Sequence, residues 1–289
     1  MRDSLASTGT RTLKLQLRRL RKTLRNICTN HEMELLMTNL EGRTALVTGG
    51  GRGIGAAITR GLAVAGADVA INYTRDTAAA TALAEEVRTL GRRAEIYQAD
   101  VADPEQCESM SEKALEEMGP IGILVNNAGI ASRGNSVSDT DPGEMRRVVE
   151  THAFGSFYMS QLLLPSMREL TRGDIIMISS GATAGLSARG APYNMAKTAM
   201  EALAFTLAKE ERANGIRVNI VAPGLVETEM GKRLVRATRG VDDIRELDAS
   251  SPFGRVCQPE DIASAVLYLV GPEGSYVTNQ RIYVNGGGF

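Results

Sequence analysis

Tyr193 and Lys197 are the two residues whose types and spacing point most directly to chemistry. They lie four apart in a stretch with helical patterning, so both side chains project from one face. A free phenol has a pKa of about 10 and stays protonated at neutral pH. An ammonium a few ångströms away favours the phenolate. Lowering the value by about three units requires about 4 kcal/mol of differential interaction. Two nearby cations in a partly dry cleft could supply it. Such a tyrosine gives a proton to a carbonyl oxygen during reduction and takes one from an alcohol during oxidation. Taken alone, the pair equally describes a helix-surface contact. Other chemistries find little material. His31 and His152 are the only histidines, too few for a His-rich metal site, and a Ser–His–Asp hydrolase is implausible because His152 lies in a predicted helix and no second useful histidine exists. Cys28, Cys107 and Cys257 are odd in number and widely spaced, so they suggest neither a disulfide framework nor a zinc pattern.

A second signal is the run Thr48-Gly49-Gly50-Gly51-Arg52-Gly53-Ile54-Gly55. Glycines let the backbone turn sharply and approach a pyrophosphate. The helix that follows then offers free N–H groups and the positive end of its dipole. The same glycines would also serve a tight turn that packs helix on strand. The strand before and the helix after favour the dinucleotide reading.

These residues must be positioned by the elements around them. Short Val-, Ile- and Ala-rich runs predict strands over 44–48, 68–73, 94–99, 121–126, 174–179, 216–221 and 281–284. Helices are predicted near 54–65, 77–90, 104–118, 142–168, 192–213 and 259–270, with Pro104 and Pro259 suiting first-turn positions. Strict alternation implies a doubly wound α/β fold with a parallel sheet covered on both faces. One domain over 38–289 accounts for the pattern, and no second domain or repeat is evident. The chain carries 33 basic and 34 acidic residues, which argues against a general nucleic-acid binder. No apolar run is long enough to span a bilayer.

Taken jointly, the glycine run, Asn126-Asn127-Ala128-Gly129 after the fourth strand, Ser180, Tyr193 and Lys197, and Pro223-Gly224 after the sixth strand resemble the short-chain dehydrogenase/reductase family. The resemblance covers residues 38–289 and implies a Rossmann fold and NAD(P)-dependent oxidoreduction of a carbonyl or secondary alcohol. It implies that Ser180, thirteen residues before Tyr193, binds the substrate oxygen and stabilises charge developing there. Lys197 would also hold the nicotinamide ribose, and a positively charged nicotinamide would be the second cation near the phenol. It implies cofactor contacts from Gly49, Gly53, Ile54 and Gly55, from Asp100 and Val101 at the adenine, from Asn127, Ala128 and Gly129 at the adenosine ribose, and from Pro223, Gly224, Val226 and Thr228 near the nicotinamide. No acid ends the second strand, which reads Asn72-Tyr73-Thr74-Arg75. Arg75 and Arg52 could pair with a 2′-phosphate and Thr74 could donate to it, so NADP(H) is favoured and NAD(H) left open. Asp76 could pair with Arg75 and blunt this. One departure stands out: the family usually places Asn where this chain has His152. That imidazole either serves a proton relay or is a buried, neutral structural group.

Gly254-Arg255, Gln258-Pro259-Glu260-Asp261 and Val284-Asn285-Gly286-Gly287 resemble the 3-oxoacyl-ACP reductase-like branch. A 3-oxoacyl thioester is therefore one candidate substrate. An NAD-linked sugar, polyol or steroid dehydrogenase, or a catalytically idle nucleotide sensor, are the alternatives. Arg133, Arg189, Lys232 and Arg233 could form a basic rim for acidic acyl carrier protein. Residues 225–255 would form a mobile lid or an ordinary surface helix and loop. The resemblance implies a homotetramer built on the helices near 142–168 and 192–213 and on the last strand; Met200, Leu203 and Phe205 fit either core or interface. Residues 1–30 hold eight basic side chains and one acid, with Leu13, Leu17, Leu20, Leu24 and Ile27 at helical spacing. The extension over 1–37 reads as disordered, as an amphipathic helix or as a targeting presequence. Met33 and Met37 each stand just before a self-sufficient domain. A reducing compartment, the cytoplasm, is the natural reading, with organelle targeting left open.

Overall fold

The computed structural model describes residues 39–288; the basic tail and every reading of it lie outside them. Strand β1 (Thr44–Val47) leads to α1 (Gly53–Val64), β2 (Asp68–Tyr73) to α2 (Thr77–Thr89), and β3 (Ala94–Gln98) to α3 (Pro104–Met118). Then follow β4 (Ile123–Asn126), α4 (Pro142–Val149), α5 (Gly155–Met167), β5 (Gly173–Ile178), the single turn α6 (Ala182–Gly185) and α7 (Ala191–Glu211). The chain closes with β6 (Ile216–Pro223), α8 (Glu229–Arg239), α9 (Pro259–Val270) and β7 (Arg281–Val284). The strands pair in the order β3-β2-β1-β4-β5-β6-β7, all parallel. This is a single-domain doubly wound fold of the Rossmann type. Its strand order reverses between β1 and β4, which opens a crevice at the carboxyl ends of the strands.

The two-residue period of each strand builds two cores. Ala45 and Val47 of β1 face one side with Ile58, Leu62, Ile262 and Val266 from α1 and α9. Leu46 faces the other side with Cys107, Met159, Leu163, Met200 and Ala204 from α3, α5 and α7. Met200 is thus core, while Leu203 and Phe205 are half-buried against it. Cys107 and Cys257 are both free thiols, pushed up to about 12 chiefly by burial. No helix among the described residues is long and apolar enough to cross a membrane.

The helix expected over 142–168 is not continuous. A π-helical turn over Glu150–Phe154 separates α4 from α5. A π turn winds in one extra residue and marks functional sites more often than chance. Here Gly155 lies so close to Val101 that a Cβ on it would come within 2.8 Å of the Val101 carbonyl. Ser156 Oγ donates to the His152 carbonyl at 2.7 Å, satisfying an acceptor in the disturbed ladder. The turn's consequence is a histidine buried beneath the crevice.

At the opposite end of the sheet, Asp174 of β5 is buried among three guanidiniums. Arg43 lies 2.8 Å away, Arg172 3.1 Å and Arg217 2.5 Å. Arg172 also donates to the carbonyls of Val270 and Gly271, and Arg43 to those of Val270 and Gly122. The cations therefore meet the carbonyl-rich C-terminus of α9, where the helix dipole favours them. Burial raises the Asp174 pKa and the guanidiniums pull it back.

Candidate active site

The glycine run is held from below by Thr48 and by two amides, Asn72 buried and Asn127 half-buried. Thr48 Oγ1 accepts from the N–H groups of Asn127 and Ala128 at 2.9 and 3.0 Å. Asn127 Nδ2 donates to the carbonyls of Thr48 and Gly49 at 2.9 and 3.1 Å. Asn72 Oδ1 accepts from Gly49 N at 3.0 Å, while its amide donates to Tyr97 and Ala99 of the β3 side. Asn127 thus clamps the loop, with its carboxamide engaged by protein. Gly49 and Gly53 have φ of +59° and +54°, which side chains rarely adopt. A Cβ on Gly55 would stand 2.2 Å from the Gly49 carbonyl. The cradle is therefore closed to any residue but glycine there. Arg52 precedes helix α1 and no side chain caps its N-terminus, so the first N–H groups of the helix carry no side-chain cap. These features fit the pyrophosphate of a dinucleotide.

The residues expected near the 2′ position lie on the surface. Thr74, Arg75 and Arg52 are exposed, and Thr74 Oγ1 reaches the Ala99 carbonyl at 3.4 Å. Asp76 does not pair with Arg75 among the described residues: it caps α2, accepting from Ala79 N at 3.0 Å. Asp100 is exposed and caps its own turn at Ala102 N, whereas the Val101 side chain is buried in the core. Ile54, Ala128 and Gly129 are half-buried along the crevice.

The chemical centre is assembled where β4, β5 and β6 end. Ser180 follows β5, is half-buried, and hydrogen-bonds the phenol of Tyr193. Lys197 is buried one turn along α7 from Tyr193, with Nζ 5.8 Å from the phenol ring centroid. Nζ donates to the Ile178 carbonyl at 2.6 Å. The chain's own groups do not by themselves acidify the phenol. Burial raises the Tyr193 pKa, and only the Ser180 hydrogen bond lowers it. Desolvation is the larger of the two effects. Burial likewise brings Lys197 down to about 7, opposed by the charge of Glu201.

His152 completes the floor. It is 1 % exposed, and its ring meets that of Tyr193 edge-on, with centroids 5.3 Å apart. Nε2 meets both backbone groups of Ile130, 2.8 Å from its carbonyl and 3.2 Å from its N–H, while Nδ1 is buried without a hydrogen-bond partner among the described residues. Burial, and then the Lys197 charge, lowers its pKa to about 3, so the ring is neutral. It fits because residue 129 is glycine: a Cβ there would come within 2.5 Å of His152 Cε1.

Pro223, Gly224, Val226 and Thr228 border the same crevice. The Pro223 carbonyl accepts from Gly181 N at 2.7 Å, and Gly224 N donates to the Val284 carbonyl at 3.0 Å. Thr228 caps α8, accepting from Gly231 N at 3.1 Å, and its Cγ2 would lie 3.5 Å from a Cβ on Gly53. Beyond it the 225–255 segment holds α8, and its Val235 and Ile244 form a small cluster with Val256.

The comparisons agree with this architecture. Residues 49–288 match the family described as Enoyl-(Acyl carrier protein) reductase. The chain belongs to the short-chain dehydrogenase/reductase family. It is 37% identical over 252 residues to the 3-oxoacyl-[acyl-carrier-protein] reductase FabG of Escherichia coli (strain K12), covering 86% of this chain and 98% of that one. A blue fluorescent protein from a metagenomic library, solved with NADPH, is 37% identical with a TM-score of 0.79, covering 86% and 98% of the two chains. A 7α-hydroxysteroid dehydrogenase, solved with NADH and 7-oxo glycochenodeoxycholic acid, is 32% identical with a TM-score of 0.79, covering 86% and 95%. As a short-chain dehydrogenase/reductase, the protein is an NAD(P)-dependent oxidoreductase acting on CH–OH and C=O groups. Sequence reasoning missed Asn72 as the residue stitching the cradle to β3. Its signal was an asparagine inside an otherwise apolar strand, where a buried amide needs partners.

Proposed function

We propose that this protein reduces a ketone or aldehyde with NADPH, a 3-oxoacyl thioester being one candidate, and that Ser180, Tyr193 and Lys197 carry the reaction. The observation that carries the proposal is the meeting of these three side chains beside a glycine cradle at the strand-order reversal. A bound reduced nicotinamide would supply the hydride. Ser180 then holds the substrate oxygen, and Tyr193 delivers its proton to that oxygen. A phenol kept protonated by burial is the form reduction requires. Alcohol oxidation requires the phenolate, so its rate should climb with pH where reduction does not. Lys197 positions the nicotinamide ribose. Exposed Val137, Leu186, Met230 and Leu234 follow β4, β5 and β6 at the same end of the sheet, which suits an apolar substituent on the carbonyl. Arg133 and Arg189 lie in those connections and Lys232 and Arg233 on α8, and together they could add a basic rim.

NADPH rather than NADH is supported by the missing acid after β2 and by two exposed guanidiniums, Arg52 and Arg75, beside Thr74. Loss of absorbance at 340 nm, with a ketone panel and both coenzymes, tests the reading. Arg75→Ala should lower kcat/KM for NADPH at least about tenfold and leave NADH nearly unchanged, since a charge-assisted hydrogen bond contributes about 1.5–3 kcal/mol. Equal losses with both coenzymes would remove Arg75 from the 2′ site. Faster turnover with NADH on sugars, polyols or steroids would favour the NAD-linked alternative. Tight NADPH binding without turnover would favour the sensor.

His152 is read as a relay group, supported by its neutral ring and unpartnered Nδ1 beside Tyr193 and Lys197. His152→Phe should slow turnover about tenfold or more while NADPH affinity stays within about twofold; unchanged turnover would assign the ring a packing role. Assembly into a homotetramer is supported by Phe154 and Phe157, exposed on the π turn and α5 beside Leu203 of α7. Sedimentation velocity would test it.

A further inference from the structure

One buried acid stands beside this centre and has no part in the proposed reaction. Glu201 is 4 % exposed and lies on α7 one turn beyond Lys197 and two beyond Tyr193. Its Oε1 accepts from Ser179 Oγ at 2.6 Å and from Thr183 Oγ1 at 2.9 Å. Its Oε2 accepts from Arg281 Nη1 of β7 at 2.6 Å. Three consecutive residues at the end of β5 therefore each meet a different member of one face of α7. The Ile178 carbonyl takes Lys197, the Ser179 hydroxyl takes Glu201, and the Ser180 hydroxyl takes Tyr193.

We propose that Glu201 is a positioning residue for the oxidoreduction: its carboxylate fixes the β5 terminus through Ser179 and supplies the buried negative charge that Lys197 faces. The inference rests on Lys197 acting in the proposed reaction. The charge matters because Lys197 is buried, and a buried ammonium loses its proton unless an anion holds it. The groups facing Lys197 are few: Tyr193 and Glu201 on its own helix, neutral His152 from the π turn, and the Ile178 carbonyl from β5. Arg281 from β7 reaches the pair only through Glu201. With the ammonium brought to about 7 by burial and raised by Glu201, the cation is present at low pH and is lost as pH rises.

Glu201→Gln keeps an acceptor for Ser179 and Thr183 while removing the charge. It should move the Lys197 midpoint about one unit or more to lower pH. For a shift of one unit, carbonyl reduction by this variant should be about twofold below wild type at pH 6 and about tenfold lower at pH 8, one unit of pKa being a factor of ten. Arg281→Met removes a cation that shares the carboxylate, so it should move the midpoint the opposite way. The midpoint is read directly by 13C NMR of lysine-labelled full-length protein, with the Lys197 signal assigned by its loss in Lys197→Met. This readout needs neither substrate nor coenzyme. A wild type silent toward every ketone would defeat the functional reading without touching this measurement. A Lys197 midpoint unmoved in Glu201→Gln, or moved in one direction by both variants, would overturn the role assigned to Glu201. Thermal melts of each variant identify any that fail to fold, and the NMR comparison then rests on Arg281→Met. A midpoint unmoved or lowered in Arg281→Met would also overturn it.

Discussion

Tyr193→Phe is expected to reduce turnover by about 10²–10⁴-fold, the range that a positioned general acid contributes. Coenzyme affinity should change little, because phenylalanine keeps the ring that packs edge-on against His152 at 5.3 Å. The loss should therefore fall on kcat, measured as consumption of NADPH at saturating ketone, with affinity followed by coenzyme fluorescence. The direction of the reaction sharpens the test. Burial holds the phenol above its ordinary pKa, so the proton to be delivered is present across the neutral range. In the wild type, oxidation of the matching alcohol should rise with pH through the alkaline range, and Tyr193→Phe should abolish that rise. Full-speed reduction by the phenylalanine variant would remove the tyrosine from the mechanism and leave Ser180 and Lys197 without an acid to serve.

Asp174→Ala carries the largest expected loss of stability. Removing the carboxylate leaves Arg43, Arg172 and Arg217 crowded together without their anion, and breaking a buried ion pair costs about 3–5 kcal/mol. For a domain of this size that corresponds to a fall in Tm of about 10 °C. The carbonyls at the end of α9 and partial solvent access to Arg172, whose side chain is 30% exposed, offset some of the repulsion. The contrast is Arg60–Glu86, an equally short pair at 2.8 Å with both side chains nearly half exposed. Glu86→Ala should cost no more than about 1 kcal/mol. Calorimetry on the two variants side by side checks the difference. Equal Tm shifts would mean that the cluster at the base of the sheet is no stronger than a solvated pair.

What could be read in advance follows the range of the forces involved. The seven strands are legible within about two residues at each end because each is a short apolar run whose burial is decided locally. Helix α3 is legible at both ends because Asp103 and Pro104 open it and Gly119 closes it. The glycine cradle is legible because positive φ at Gly49 and Gly53 is a local demand. The π turn is not, since its causes are a glycine packed on Val101 and a ring seated over Gly129, contacts made by distant parts of the chain. The Asp174 cluster joins residues 43, 172 and 217, which no sequence window brings together. How strongly burial acts on the tyrosine is hidden for a related reason. Spacing of four reveals that two groups are neighbours and says nothing of how much water either keeps.

The threading of β7 has a consequence for how far the fold can be shortened. Strand β7 contributes the partner of β6, the carbonyl that receives Gly224 N, and the guanidinium that grips Glu201. All three come from residues 281–284, far along the chain from the glycine loop. A fragment cut before β7 would keep Ser180, Tyr193 and Lys197 yet lack the strand that ties down β6 and Glu201, so disorder is expected at that edge of the sheet.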